Sequence, residues 1–291
     1  MTEYPGNLPL KSTNWLAANL NAPEIRIYDC TAYLLPDPET VFRVQSGRDE
    51  WAMKHIPGAC HIDLEKDISD PVSPLRFTMP ARSDFASTMA ALGVGDDTQV
   101  ILYSATHYMW ATRVLWMLMD IGFTNAFLLD GGLPKWLAEK RPVTSAITLY
   151  PPASLSVSSA PPHFVARDAV LSAIDTRNAL LVNALPPEQF RGDPDTIHHG
   201  RPGRITSSIN IPANTLLDPQ TGVLRPHDEL AEIFASAGVS ADQPIICYCG
   251  GGVSATCVAL ALKMTGQNNV SVYDGSMNEW AADPDLPMQT G

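Results

Sequence analysis

The chain carries one string of landmarks twice. Residues 92–104 read LGVGDDTQVILYS and residues 237–249 read AGVSADQPIICYC: each has a Gly-Val pair, a polar turn and an apolar run. Gly93 and Gly238 stand 145 residues apart, as do Ser104 and Cys249. Downstream, LLDGGLPKW (128–136) and VYDGSMNEW (272–280) repeat at a spacing of 144. Upstream, HIPGACHID, from Ile56 to Ile62, matches RITSSINI, from Ile205 to Ile211, and EIRIYDC (24–30) matches ALLVNAL (179–185). Four landmarks in one order define a duplicated unit, and 291 residues suit two domains of ordinary size.

Each copy alternates short apolar runs with amphipathic stretches. EIRIYDC, QVILYS and AFLLD read as buried strands; WATRVLWMLMDIG reads as a helix stopped at Gly122. In the second copy PIICYC is a strand and VSATCVALALKMTG a helix, with Lys263 in its last turn and Gly266 as its stop. Strand, helix, strand in series predicts right-handed βαβ units and a parallel sheet covered by helices on both faces. The fold class is therefore α/β, with two tandem domains: residues 1–141 and 163–291. Between them, residues 142–162 are rich in Pro and Ser and read as an extended linker.

With 19 Lys plus Arg against 31 Asp plus Glu, the chain carries a formal charge of −12. It is a poor partner for nucleic acid or an anionic membrane, so attraction for a small anion must come from backbone amides or placed arginines. No apolar run is long enough to span a bilayer, and the segment MTEYPGN lacks the basic and apolar stretches of a secretory signal. A cytoplasmic location is the expectation. Five cysteines, with no CxxC pair, argue against a disulfide framework or a zinc ribbon.

Cys249 stands where a strand ends and a helix begins, and Gly250, Gly251, Gly252, Val253 and Ser254 follow it. Three glycines permit backbone angles closed to other residues and let several N–H groups turn inward as an anion nest, to which the next helix adds its positive end. That setting favours the thiolate, the nucleophilic form of cysteine. Cys247 lies inside a strand and Cys257 in an apolar helix, so both read as packing residues.

Taken together, HIPGACHIDL, LLDGGLPKW, VYDGSMNEW and YCGGGVSAT make the chain resemble the rhodanese family over nearly its whole length. The resemblance implies two tandem rhodanese-like domains and a sulfurtransferase. Such an enzyme moves sulfane sulfur from thiosulfate or 3-mercaptopyruvate to a thiol or cyanide acceptor through a Cys249 persulfide. Only the second domain is then catalytic, because Ser104 occupies the first copy's cysteine position and a hydroxyl forms no persulfide. The loop Cys249-Gly-Gly-Gly-Val-Ser254 is closer to the mercaptopyruvate-type loop Cys-Gly-Ser-Gly-Val-Thr, with Gly251 in place of its serine. The implied partners are a small anionic sulfur donor and a thiol acceptor, either a small thiol or a thioredoxin-like protein. No metal or organic cofactor is implied.

The donor's charged end needs a grip. The family's Arg-Phe-x-Gly appears here as Gln189-Phe190-Arg191-Gly192, and a second aligned arginine position falls near His198. Arg191, Arg201, Arg204 and His198 are therefore candidates for donor binding, against the competing reading of a solvated loop. Arg204 aligns with His55, itself a candidate for the cleft or for a structural hydrogen bond. The resemblance also places Tyr108 and Trp110 as cleft walls, and Asp274 and Ser276 behind the loop. His198 and His199 lack a third ligand at metal spacing. Two other readings stay open: a non-catalytic sulfur carrier or interaction module, and a phosphatase or arsenate reductase. The last would need an arginine closing the loop, and none stands between Cys249 and Ala255.

Overall fold

Two five-stranded parallel sheets carry the fold in the computed structural model, which describes residues 8–37 and 41–291. The reading of the first seven residues lies outside the described residues. The first half runs β1 (Leu10–Lys11), α1 (Thr13–Asn19), β2 (Ile25–Asp29), β3 (Ala32–Asp37), β4 (Val41–Ser46), α2 (Arg48–Met53), β5 (Ala59–His61), α3 (Arg82–Ala91), β6 (Gln99–Tyr103), α4 (Met109–Asp120), β7 (Ala126–Leu129) and α5 (Gly132–Ala138). The second half runs β8 (Phe164–Val165), α6 (Arg167–Thr176), β9 (Leu180–Asn183), α7 (Pro187–Arg191), β10 (Arg204–Ile205), β11 (Ile209–Asn210), α8 (His227–Ser236), β12 (Ile245–Tyr248), α9 (Ala255–Met264), β13 (Val270–Tyr273), α10 (Ser276–Trp280) and β14 (Met288–Gln289).

The sheet orders are β1-β7-β6-β2-β5 and β8-β13-β12-β9-β11, the same order in both halves. The strands are short apolar runs because both faces of each sheet are covered. That covering also hides the register from sequence, since no polar alternation marks it. Asp29 lies opposite Tyr103 and Asn183 opposite Tyr248, so Asp29 corresponds to Asn183, one position off a flush alignment of the two strings. The Ile56–Ile205 match is reproduced in detail: their N–H groups donate to the hydroxyls of Tyr103 (3.4 Å) and Tyr248 (3.1 Å).

The halves meet through α4 and α9. Nearly every side chain of α4 is buried, because one side faces its own sheet and the other faces α9. A helix apolar all round is one buried all round. Thr112 and Cys257, 145 positions apart, face each other with Oγ1 and Sγ 3.2 Å apart, and Thr112 also bonds Thr256 at 2.8 Å. The two Asp-Gly segments reach across in a matching way. Asp274 Oδ2 accepts from the N–H of Met79 (2.8 Å) and Asp130 Oδ1 from that of Leu224 (3.0 Å). The duplication thus produces an approximate twofold, with the interface on its axis.

Residues 142–162 are extended and firmly docked on the first half. Thr144 and His55 exchange two backbone hydrogen bonds of 2.9 Å. The Tyr150 hydroxyl accepts from the N–H of Ile27 (3.1 Å) and donates to the carbonyl of Gly58 (2.7 Å), while the Arg26 guanidinium lies 4.7 Å above its ring. Gly93, which ends α3 with a positive φ, also makes room, since a Cβ there would run into Tyr150. The antiparallel β3–β4 pair leaves the first half toward the second, where Phe42 comes within 6.1 Å of His199, centroid to centroid. Among the described residues, no helix is long and apolar enough to cross a membrane.

Candidate active site

Cys249 follows β12 at the carboxyl end of the sheet, the usual position for ligand sites in such folds. It is only 2% exposed, yet it lines a cleft of about 910 Å³ between the halves. Its own N–H donates to Ser276 Oγ (3.1 Å), which donates to the Tyr273 carbonyl (2.8 Å). The carbonyls of Cys249 and Gly250 accept from the N–H groups of Met277 (3.0 Å) and Asn278 (2.8 Å). The first copy has the same latch, with Leu133 N–H on the Ser104 carbonyl (3.1 Å). Each Asp-Gly segment therefore holds the base of its own loop.

The loop amides are left over. Among the described residues, the N–H groups of Gly250, Gly251, Gly252, Val253 and Ser254 have no hydrogen-bond partner. Gly250, Gly252 and Val253 are buried, where backbone N–H groups are seldom orphaned, so the loop is a candidate anion site. Gly252 sits behind the cleft at φ +73°, and a Cβ there would lie 2.7 Å from the Asp274 carbonyl oxygen. Gly250 is covered by the His199 ring, which leaves no room for a Cβ.

Arg113 supports this loop from the other half. It is fully buried on α4, and its guanidinium donates to the carbonyls of Gly252 (3.1 Å) and Phe77 (2.5 Å) and to Asp274 Oδ1 (2.7 Å). It also stacks over Phe164 at 4.3 Å. An arginine inside the otherwise apolar run WATRVLWMLM was the available signal, and only the fold reveals its partners.

Tyr108 and Trp110 line the cleft, together with Gly250, Gly251, Val253 and Ser254. The other candidates for donor binding lie elsewhere. Arg191 is exposed and paired with Asp193 at 2.5 Å. Arg201 binds four carbonyls, including Ala281 (3.2 Å) and Leu286 (3.0 Å), and so ties the C-terminal segment down. Arg204 donates to the Gly291 carbonyl (2.6 Å) and stacks on Phe190. His198 bonds the Asp193 carbonyl at 2.9 Å. His55 is buried, stacked on Trp51 and bonded to the carbonyls of Trp51 (2.6 Å) and Ala146 (3.2 Å). None of these five lines the cleft, because each already has partners elsewhere.

The cleft is lined instead by residues the sequence did not single out for it: Gln189, His199, Asn214, Asn278, His107 and Arg76. His199 is held by Asn278, Nδ1 to Oδ1 at 2.9 Å. Burial pushes its pKa below the ordinary histidine value, with neighbouring His198 adding to the effect and Asn278 opposing it. His163 is lowered too, by burial and by Lys263 and Arg82, against Asp120. Below about pH 6.5 the unfolded chain takes up protons that these folded imidazoles resist, so stability falls with falling pH. We expect the urea midpoint to drop between pH 7 and pH 5.5, and to drop less in His163→Gln or His199→Gln. Burial pushes the thiols of Cys30, Cys60, Cys247 and Cys257 up, Cys257 to about 12, so these four stay protonated at neutral pH.

Known proteins match this architecture. The family model for the rhodanese-like domain matches residues 12–139 and again 166–283. The 3-mercaptopyruvate sulfurtransferase of Escherichia coli strain K12 is 35% identical over 277 residues, covering 95% of this chain and 96% of its own. The thiosulfate/3-mercaptopyruvate sulfurtransferase 2 of Arabidopsis thaliana is 31% identical, covering 97% and 86%. The crystal structure of SseA from E. coli, described as a 3-mercaptopyruvate sulfotransferase with the rhodanese fold, superposes with a TM-score of 0.80 at 33% identity, covering 92% of this chain and 98% of that one. With both copies matched, the chain belongs to the rhodanese-like family, as a tandem two-domain member.

Proposed function

We propose that this rhodanese-type sulfurtransferase works through a persulfide on Cys249, with 3-mercaptopyruvate as its preferred donor over thiosulfate. The Cys249 thiolate attacks the donor's outer sulfur, forming the S–S bond as the donor's own bond to that sulfur breaks and pyruvate or sulfite leaves. An acceptor thiol or cyanide then takes the outer sulfur and returns the thiolate. The row of unpartnered amides from Gly250 to Ser254 carries the reading: it offers hydrogen bonds to a terminal sulfur anion without requiring a side-chain cation. The donor preference is supported by the loop sequence and by charge. Arg76, the only lysine or arginine lining the cleft among the described residues, is neutralised by Glu65 at 2.5 Å. A dianion therefore gains less there than a monoanion.

In this proposal residues 163–291 form the catalytic domain, residues 1–141 a non-catalytic partner with Ser104 in the cysteine slot, and residues 142–162 the connection. The physiological acceptor is a small thiol or a thioredoxin-like protein. Five free thiols support a reducing, cytoplasmic setting. The test is mass spectrometry of the Cys249 peptide after donor treatment, alongside turnover. We expect a gain of one sulfur on that peptide and a kcat/KM at least about tenfold higher with 3-mercaptopyruvate, equivalent to about 1.4 kcal/mol of transition-state discrimination. Sulfur on another cysteine, or none, would overturn the assignment.

A further inference from the structure

We infer that the cleft selects a thiol acceptor with an apolar body, one whose alkyl or aryl part lies along the first half's wall while its sulfur meets the Cys249 persulfide. The inference rests on the persulfide reading above and adds the substrate class. Three observations carry it. At about 910 Å³, the cleft has the volume of a site for a drug-sized ligand, far more than a three-carbon donor fills. Much of its wall is apolar: Leu34, Phe42 and Val44 of the β3–β4 pair and Leu75 from the first half, and Leu185 and Leu217 from the second. Leu34, Val44, Leu185 and Leu217 are only partly buried, so they present apolar surface to whatever enters.

The third observation is charge. Among the described residues, no aspartate or glutamate lines the cleft, and its one guanidinium, Arg76, is engaged by Glu65 and by the Phe42 carbonyl at 2.9 Å. His199 is held by Asn278. Among the described residues the wall offers no unpaired Lys, Arg, Asp or Glu to a charged acceptor, and burying a charge there would cost its hydration. The site thus offers the loop amides to the transferred atom and a largely apolar wall to the rest of the molecule.

In the transfer step the acceptor thiolate attacks the outer sulfur of Cys249–S–SH. An S–S bond forms on the acceptor as the bond between Cys249 Sγ and the outer sulfur breaks, the proton travels with the transferred sulfur, and Cys249 leaves as thiolate. Straight-chain alkanethiols isolate the wall's contribution, because their thiol pKa and nucleophilicity do not change with chain length. With the donor saturating, we expect kcat/KM to rise about fourfold per methylene from propanethiol to heptanethiol. The rise should be shallower in Val44→Thr, which keeps the side-chain shape but makes that part of the wall polar. An alkanethiol series that is flat while the persulfide forms and cyanide still discharges it would overturn the acceptor inference alone. Failure of Cys249 to gain sulfur from any donor would instead overturn the sulfurtransferase reading beneath it.

Discussion

Cys249→Ser is expected to keep the fold and to lower sulfur transfer from either donor by at least ~10³-fold, since a hydroxyl provides no sulfur to form the intermediate. The chain contains its own control for the structural half of this expectation. Ser104 sits in the equivalent slot after β6, buried, with its carbonyl latched by Leu133 and its hydroxyl accepting from the N–H of Thr106 at 3.1 Å. Serine is thus accommodated at the equivalent position of the first copy's loop. Steady-state turnover with each donor and the thermal midpoint are the two readouts. Turnover within tenfold of the parent would remove Cys249 from the mechanism. If turnover were lost together with the fold, Cys249→Ala would decide whether the sulfur or the packing had been removed.

Arg113→Met is expected to cost about 3 kcal/mol of stability, because it removes one partner of a buried pair and strips the donors from two carbonyls. The ion pair is well shielded, with the Arg113 side chain 0% and the Asp274 side chain 16% exposed. Persulfide formation should slow as well, since Arg113 fixes the Gly252 carbonyl and hence the turn that aims the loop amides. Asp274→Asn should cost less, because its one amide oxygen still accepts from either Met79 or Arg113, whose bonds go to different oxygens of the carboxylate. In a double-mutant cycle the two changes should couple by about 1 kcal/mol or more. A loss below about 1 kcal/mol in Arg113→Met, with the persulfide forming at the parent rate, would assign the loop geometry to the glycines alone. Val258 stands at the position on α9 equivalent to Arg113, so this support runs in one direction, from the first half to the second.

The parts of the site that sequence revealed are local. A strand, a cysteine, three glycines and a helix follow one another within about a dozen positions, and chain geometry does the rest. The arginines could not be placed that way. Arg191 is taken by Asp193, two residues on, but Arg201 is taken by carbonyls of residues 280–286, which only the C-terminal fold brings near. His199 could not be placed from sequence because its partner, Asn278, stands 79 positions downstream on α10. Beyond residues 107–110, the cleft's first-half wall comes from the β3–β4 pair and residues 74–77, whose role depends on how the two halves pack. The parallel strands were legible as strands but not in register, because continuous apolar runs carry no phase.

The docked segment 142–162 changes how the chain can be divided. Ala153 donates to the Ala90 carbonyl, Ser158 to that of Ile121, and Ser156 to Asp96, so the segment seals the outer edge of the N-terminal half. A fragment truncated at residue 141 would leave those acceptors, and the groove that holds Tyr150, open to water. Anyone expressing the halves separately should let the first keep this belt through residue 160 and begin the second at His163, whose carbonyl accepts from the N–H of Val272 in its own sheet. What joins the two lobes in sequence belongs, by its contacts, to the lobe it leaves.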